Sequence, residues 1–275
     1  MSPAVPHESR HDARGIGEGK YVMKFFPAIL SLMLTSPAFG QNAADEFYDP
    51  AAMAAARDSV QKMHGNTLNS LFIGERLENQ DHDGNSNLVW EAQGWVGYDL
   101  NKLWLKTEGH YDNENNDTEE FELQALWSHA ISPFWDIQAG WRHDFEDTPR
   151  NYAVIGLMGL APYWFEMDAA AFISEDGDAS ARLEAEYELR FTQRLILQPR
   201  MELNYAFSED LDAGIGQGLH KANLGLRLRY EFKREIAPYL GVAWEKSFGD
   251  TADLLNNAGQ DSSETSFVLG LRVWY

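Results

Sequence analysis

The stretch Ala181–Phe191, ARLEAEYELRF, alternates apolar and charged residues without a break. Its residues are good helix formers, but a helix would scatter Leu183, Ala185, Tyr187, Leu189 and Phe191 around its circumference. On a strand they make one apolar face, and Arg182, Glu184, Glu186, Glu188 and Arg190 make the other. A soluble sheet would have to bury one of these faces, and an outward apolar face this large would aggregate. A barrel in lipid suits both, because acyl chains meet the apolar face while a polar lumen receives the ions.

The same division recurs along the chain. Arg200 and Glu202 alternate with Met201 and Leu203, and Arg227 and Arg229 alternate with Leu226 and Leu228. Lys102, Lys106, Glu108 and His110 alternate with Leu103 and Leu105. Asp136 and Arg142 alternate with Trp135 and Trp141, and Glu166 and Asp168 occupy the charged face of a further segment. Period two predicts strands at 67–77, 88–99, 102–111, 119–130, 134–145 and 151–161, then at 163–174, 179–191, 195–207, 221–232, 236–247 and 265–275. Each is about the 9–11 residues that a tilted strand needs to cross a bilayer, or slightly longer. Connections alternate between tight turns such as Ile131-Ser132-Pro133 and longer polar loops at 78–87, 112–118, 208–220 and 248–264. The expected fold is therefore all-β, a 12-stranded antiparallel transmembrane barrel over residues 67–275.

A lumen carrying both signs of charge predicts ion-pair networks that fill it. Cross-strand ladders are expected, with Arg200 or Arg190 meeting Glu184, Glu186 or Glu202. No HExxH, GxSxG, CxxC or Gly-rich phosphate loop is present. A lipid-facing Ser–His hydrolase would have His143 on the correct face, but the neighbouring segment 151–161 has no serine and Ser128 has lumenal parity. The chain is not expected to be an enzyme.

Ahead of the barrel, Met23-Lys24, the apolar FFPAILSLMLT and the small-residue run SPAFG have the order of a secretory signal over 23–40. Residues 1–22 are polar and would bury that signal, so translation is expected to start at Met23. Residues 41–66 are Ala-rich, with Pro50 near a helix start, and read as a short periplasmic arm, partly helical or disordered.

The formal charge of -21 argues against nucleic-acid binding and favours cations as partners. The long loops hold acids such as Asp81, Asp83, Glu114, Asp147, Asp212 and Asp253, whereas tight turns hold Arg194, Lys233 and Arg234. An acidic rim concentrates metal cations, or merely keeps the surface hydrated. Soft-metal candidates are Met53, Met63 and His64 in the arm, His82 in the first loop and His110 at the mouth, since thioether suits Cu(I) and imidazole Cu(II). Met167 and Met201 share the lipid-facing parity and read as apolar filling.

Longer stretches, among them WEAQGWVGYDLNKLWLKTEG, SPFWDIQAGWRHDF, ARLEAEYELRFTQRLILQPRMELN and the closing LGLRVWY, resemble copper resistance protein B over nearly all of 49–275. The resemblance implies a Gram-negative outer-membrane protein that binds copper and confers tolerance, by sequestration or by passing copper across the outer membrane. It also implies periplasmic partners, including a multicopper oxidase. Many members of that family carry a long Met/His/Asp-rich segment before the barrel, whereas 41–66 holds only Met53, Met63 and His64. The alternative is a general divalent-cation or small-solute channel.

Overall fold

A computed structural model describes residues 43–65, 67–82, 84–113, 117–145, 149–210 and 213–275. The leader and signal expected over 1–40 lie outside these residues, as do the loop acids Asp83, Glu114, Asp147 and Asp212.

Helix α1 spans Pro50–His64. Asp49 caps its first turn by accepting a hydrogen bond from the Ala52 amide at 3.0 Å, and Pro50 supplies a residue whose missing N–H costs nothing there.

Residues 69–132 form β1 (Asn69–His82), β2 (Asn85–Gly97), β3 (Asn101–Asp112) and β4 (Asp117–Ser132). Then come β5 (Trp135–Asp144), β6 (Arg150–Ala161), β7 (Phe165–Ser174) and β8 (Ala179–Glu186). The short β9 (Leu189–Arg190) continues β8 after a break, and both pair with β10 (Leu195–Ala206). The chain ends with β11 (Gly218–Tyr230), β12 (Ile236–Ser247) and β13 (Ser263–Trp274). Neighbours pair antiparallel in sequence order, and β13 returns to β1 with Ile73 opposite Trp274 and Asp81 opposite Phe267. With β8 and β9 counted as one stave, this is a closed barrel of twelve, as expected from the sequence. Closure pairs the staves all the way round, and of the described strands only the two-residue β9 at the rim pairs on one side; a free edge at mid-depth would be penalised by lipid.

Leu77, Leu103, Leu105, Ile155, Ile173 and Leu240 are exposed on the outer face. The residues between them turn inward. A bulge at Glu75 interrupts the β1–β2 register, with Gly74 opposite Ala92 but Arg76 opposite Glu91. The extra residue changes the parity of β1. Phe72 and Leu77 are therefore both exposed, while Glu75, Arg76 and Glu78 all turn their side chains inward.

Two loop expectations are corrected. The connection expected over 78–87 is mostly strand, because β1 runs to His82 and β2 starts at Asn85. Beyond the bilayer water bathes both faces, so polar residues still pair through their backbones and the hydropathy signal vanishes. The last long connection contains helix α2 (Gly249–Asn257), where the Gly216 amide donates to Thr251 Oγ1 at 2.8 Å.

The interior is not uniformly ionic. Trp104, Leu126, Val154 and Phe172 form a buried apolar cluster inside the barrel. Together with Gly140 they stand on one rung across β3 to β7, each opposite the next. A Cβ on Gly140 would lie 2.1 Å from the Ala125 carbonyl oxygen, so the rung tolerates no side chain at that point. The apolar rung is one level of this wall, and ions on the same strands, among them Glu108, Glu122 and Arg142, occupy the levels beside it.

Candidate functional site: the charged lumen

Parity places the ionised face of β8 inside, and closure brings it to strands far away in sequence. Arg200 on β10 meets Glu184 at 2.8 Å and Glu186 at 3.2 Å on β8, Glu202 at 3.3 Å on its own strand, and Glu91 at 3.3 Å on β2. Arg182 on β8 meets Glu122 at 2.9 Å and Glu108 at 3.2 Å, reaching the facing wall. Arg76 returns the path to the start, holding Glu91 at 2.6 Å and Glu108 at 2.9 Å. Glu202 stands between Arg200 and Arg182, 3.9 Å from the latter. The ring Arg76–Glu91–Arg200–Glu202–Arg182–Glu108 thus alternates in sign all the way round. It lies across the lumen.

Arg142 extends this belt through Glu122 at 3.0 Å and Asp144 at 2.7 Å. Phe172 lies between two guanidiniums, 4.8 Å from that of Arg142 and 5.7 Å from that of Arg182. Cation–π contact therefore joins the apolar rung to the ionic belt. Arginine suits this role, because its planar fork serves several carboxylates at once.

Further pairs lie above and below. Towards the long loops, Lys221 on β11 meets Glu120 on β4 at 3.2 Å and Glu245 at 3.0 Å. Towards the tight turns, Lys106 pairs with Asp168, Lys102 holds Asp136 at 2.9 Å and Arg272 holds Glu75 at 2.7 Å. At the seam, Arg227 reaches Glu78 at 2.7 Å; away from it, Arg229 on β11 holds Glu188, in the break between β8 and β9, at 2.5 Å. A chamber of about 340 Å³ lies on the tight-turn side of the belt, with Met158, Asp168, Glu166 and Glu75 among its lining residues.

Arg190 departs from the expected network. It is 61% exposed and pairs with Glu188 at 2.6 Å, because β9 ends at the tight-turn rim, where its side chain reaches water. Glu166, the second residue of β7, is exposed and makes no ion pair among the described residues. The other charged residues expected inside, from Lys106 to Arg229, take part in the pairs above.

Of the metal candidates, Met53 lies early in α1, exposed Met63 lies in its last turn and His64 is its final residue. His82 ends β1 with Nδ1 2.9 Å from the Thr265 carbonyl oxygen, a donor's position, and 3.9 Å from Glu264. His110 stands on β3 between Val89 and Glu120. Among the described residues no three His, Asp or Glu side chains converge on one metal position. On the outer face, His143 Nδ1 is 3.0 Å from Asn151 Oδ1, while Ser128 is fully buried and donates to Asp136 at 3.0 Å. Serine and imidazole are on opposite sides of the wall.

Sequence reasoning passed over Glu75, Arg76, Glu78, Glu91, Glu122 and Met158. The bulge hides the first three by breaking period two. Glu122 was legible, since FELQALW alternates cleanly.

The family profile described as "Copper resistance protein B precursor" matches residues 68–275. A copper resistance protein B homolog from Pseudomonas syringae pv. tomato is 43% identical over 228 residues, covering 82% of this chain and 76% of the relative. Copper resistance protein B from Escherichia coli is 42% identical over 214 residues, covering 78% and 72%. Among solved structures, the NanC porin aligns with a TM-score of 0.49 at 13% identity, covering 74% of this chain and 99% of the porin. Outer membrane phospholipase A from Escherichia coli aligns at 0.44 and 13%, covering 78% and 96%.

Proposed function

The chain belongs to the copper resistance protein B family, and from that premise we propose that it binds copper ions in its lumen and passes them across the membrane. Its role in copper resistance and its place in the outer membrane of a Gram-negative bacterium come with the family. Copper is cargo here, not a resident cofactor, and the barrel carries out no chemistry on it. The reading rests on one observation, the surplus of carboxylates in the lumen. Around the belt, Arg76, Arg142, Arg182 and Arg200 face Glu91, Glu108, Glu122, Asp144, Glu184, Glu186 and Glu202. A low-dielectric wall with excess negative charge concentrates cations. The belt crosses the lumen, so passage requires its ion pairs to rearrange.

Met53, Met63 and His64 in the arm and His82 and His110 at the loop end are proposed as capture points before and after the lumen. A periplasmic multicopper oxidase of the same resistance system is the proposed partner. The test is flux into liposomes holding the purified barrel, with copper compared against calcium. Copper entering at least tenfold faster supports this reading. Equal rates would replace it with a general divalent-cation channel. Unchanged Cu(I) affinity after Met63→Ala with His64→Ala would remove the arm from the mechanism.

A further inference from the structure

The chamber beneath the belt has a thioether, that of Met158, in its lining. Met158 on β6 stands directly opposite Asp168 on β7, so the two side chains share the inward face with Cβ atoms about 5 Å apart. Met158 Sδ accepts a hydrogen bond from Gln138 Nε2 at 3.5 Å, and Gln138 is 1% exposed. A methionine side chain ordinarily samples many rotamers. Here a buried amide orients the thioether and occupies one sulfur lone pair, leaving the other. Asp168 pairs with Lys106 through Oδ2, and its Oδ1 makes no ion pair among the described residues. Glu166, two residues earlier on the same face, brings a carboxylate with no ion pair among those residues.

We propose that Met158 and Asp168 form a subsite for a soft monovalent cation, Cu(I) or Ag(I), on the wall of this chamber. It rests on the copper-binding reading above and gives that reading a location. A thioether selects Cu(I) over hard divalent ions, which a lumen of carboxylates alone would not do. The carboxylate supplies the charge, with Glu166 as a second oxygen donor towards the mouth. The side of entry follows from the belt. Lining residues reach Glu91, Glu108, Glu122 and Arg182 but none of His110, Glu120 or Lys221 beyond them. The chamber therefore faces the tight-turn end, which is periplasmic in barrels of this type. The cation is taken from the periplasmic side while the belt is intact. Met201 carries the same sulfur on the opposite parity, outside the chamber lining, and is the internal control.

The test uses the full barrel in detergent, titrated with Ag(I) and with Cu(I) against a competing chelator. Met158→Leu keeps the side-chain volume, and tryptophan fluorescence checks that it folds. We expect Met158→Leu to weaken Ag(I) binding by tenfold or more, Asp168→Asn to weaken it several-fold, and Met201→Leu to leave it unchanged. Full affinity in Met158→Leu with affinity lost in Met63→Ala/His64→Ala would overturn the subsite and leave copper binding standing. No Cu(I) or Ag(I) binding by the unaltered barrel would overturn both. A measurement needing no variant is alkylation of the methionines followed by mass spectrometry. Ag(I) should protect Met158 and not Met201, and an unprotected Met158 overturns the subsite.

Discussion

Glu78 offers the clearest measure of what the buried ions contribute. It is fully buried on β1, and it accepts from Arg227 at 2.7 and 2.9 Å, from the Tyr239 hydroxyl at 2.9 Å and from Gln80 at 2.8 Å. Arg227 comes from β11 and Tyr239 from β12, so this cluster ties together the strands on either side of β13, where the barrel closes. Glu78→Leu leaves a guanidinium that is 6% exposed without its carboxylate. Breaking a buried pair in this way costs about 3–5 kcal/mol, and the orphaned tyrosine hydroxyl adds roughly 1 kcal/mol. We therefore expect a loss of about 4–6 kcal/mol. Replacing both partners, Glu78→Leu with Arg227→Met, removes the uncompensated charge and should recover most of that loss, giving a coupling above about 3 kcal/mol. The assay is urea unfolding of the barrel refolded into phospholipid vesicles, followed by tryptophan fluorescence. A single-variant loss below about 1 kcal/mol would mean that water reaches Glu78 and that the seam behaves as surface. No recovery in the double variant would show that the loss came from packing. Gly270 probes the same spot without altering charge, because a Cβ there would lie 2.5 Å from Tyr239 and 2.7 Å from Glu78 Cβ. Gly270→Ala should cost about 1–3 kcal/mol in the same assay.

Two further outcomes follow from the faces and the belt. Ile155 is exposed at the middle of β6, so Ile155→Arg should destabilise the barrel in vesicles by about 2–4 kcal/mol, while Phe191→Arg at the rim costs at most about 1 kcal/mol; equal costs would contradict the assigned depth. Arg200→Met removes a guanidinium that meets four carboxylates and should raise cation conductance in planar bilayers severalfold. Arg190→Met, at an exposed single pair, should leave conductance unchanged and stability within about 0.5 kcal/mol of the parent.

The sequence by itself determined the staves and their faces. Period-two alternation needs only local geometry, since successive side chains on a strand point to opposite sides whatever the strand later pairs with. ARLEAEYELRF could therefore be assigned a lipid side and a lumen side, and alternating turn lengths gave the barrel its two ends. Arg200 with Glu184 and Glu186 was legible because β8 and β10 are joined by a tight turn. Tertiary structure alone decided the rest. Arg182 finds Glu108, and Arg200 finds Glu91, only because closure carries β8 and β10 to face β2 and β3, and no local pattern records that approach. The bulge at Glu75 depends on how β1 meets both neighbours, so its three inward charges could not be counted from parity. Met158 reads in sequence as one more apolar residue in NYAVIGLMGLA, and only the tertiary structure sets it opposite Asp168 with Gln138 donating to its sulfur.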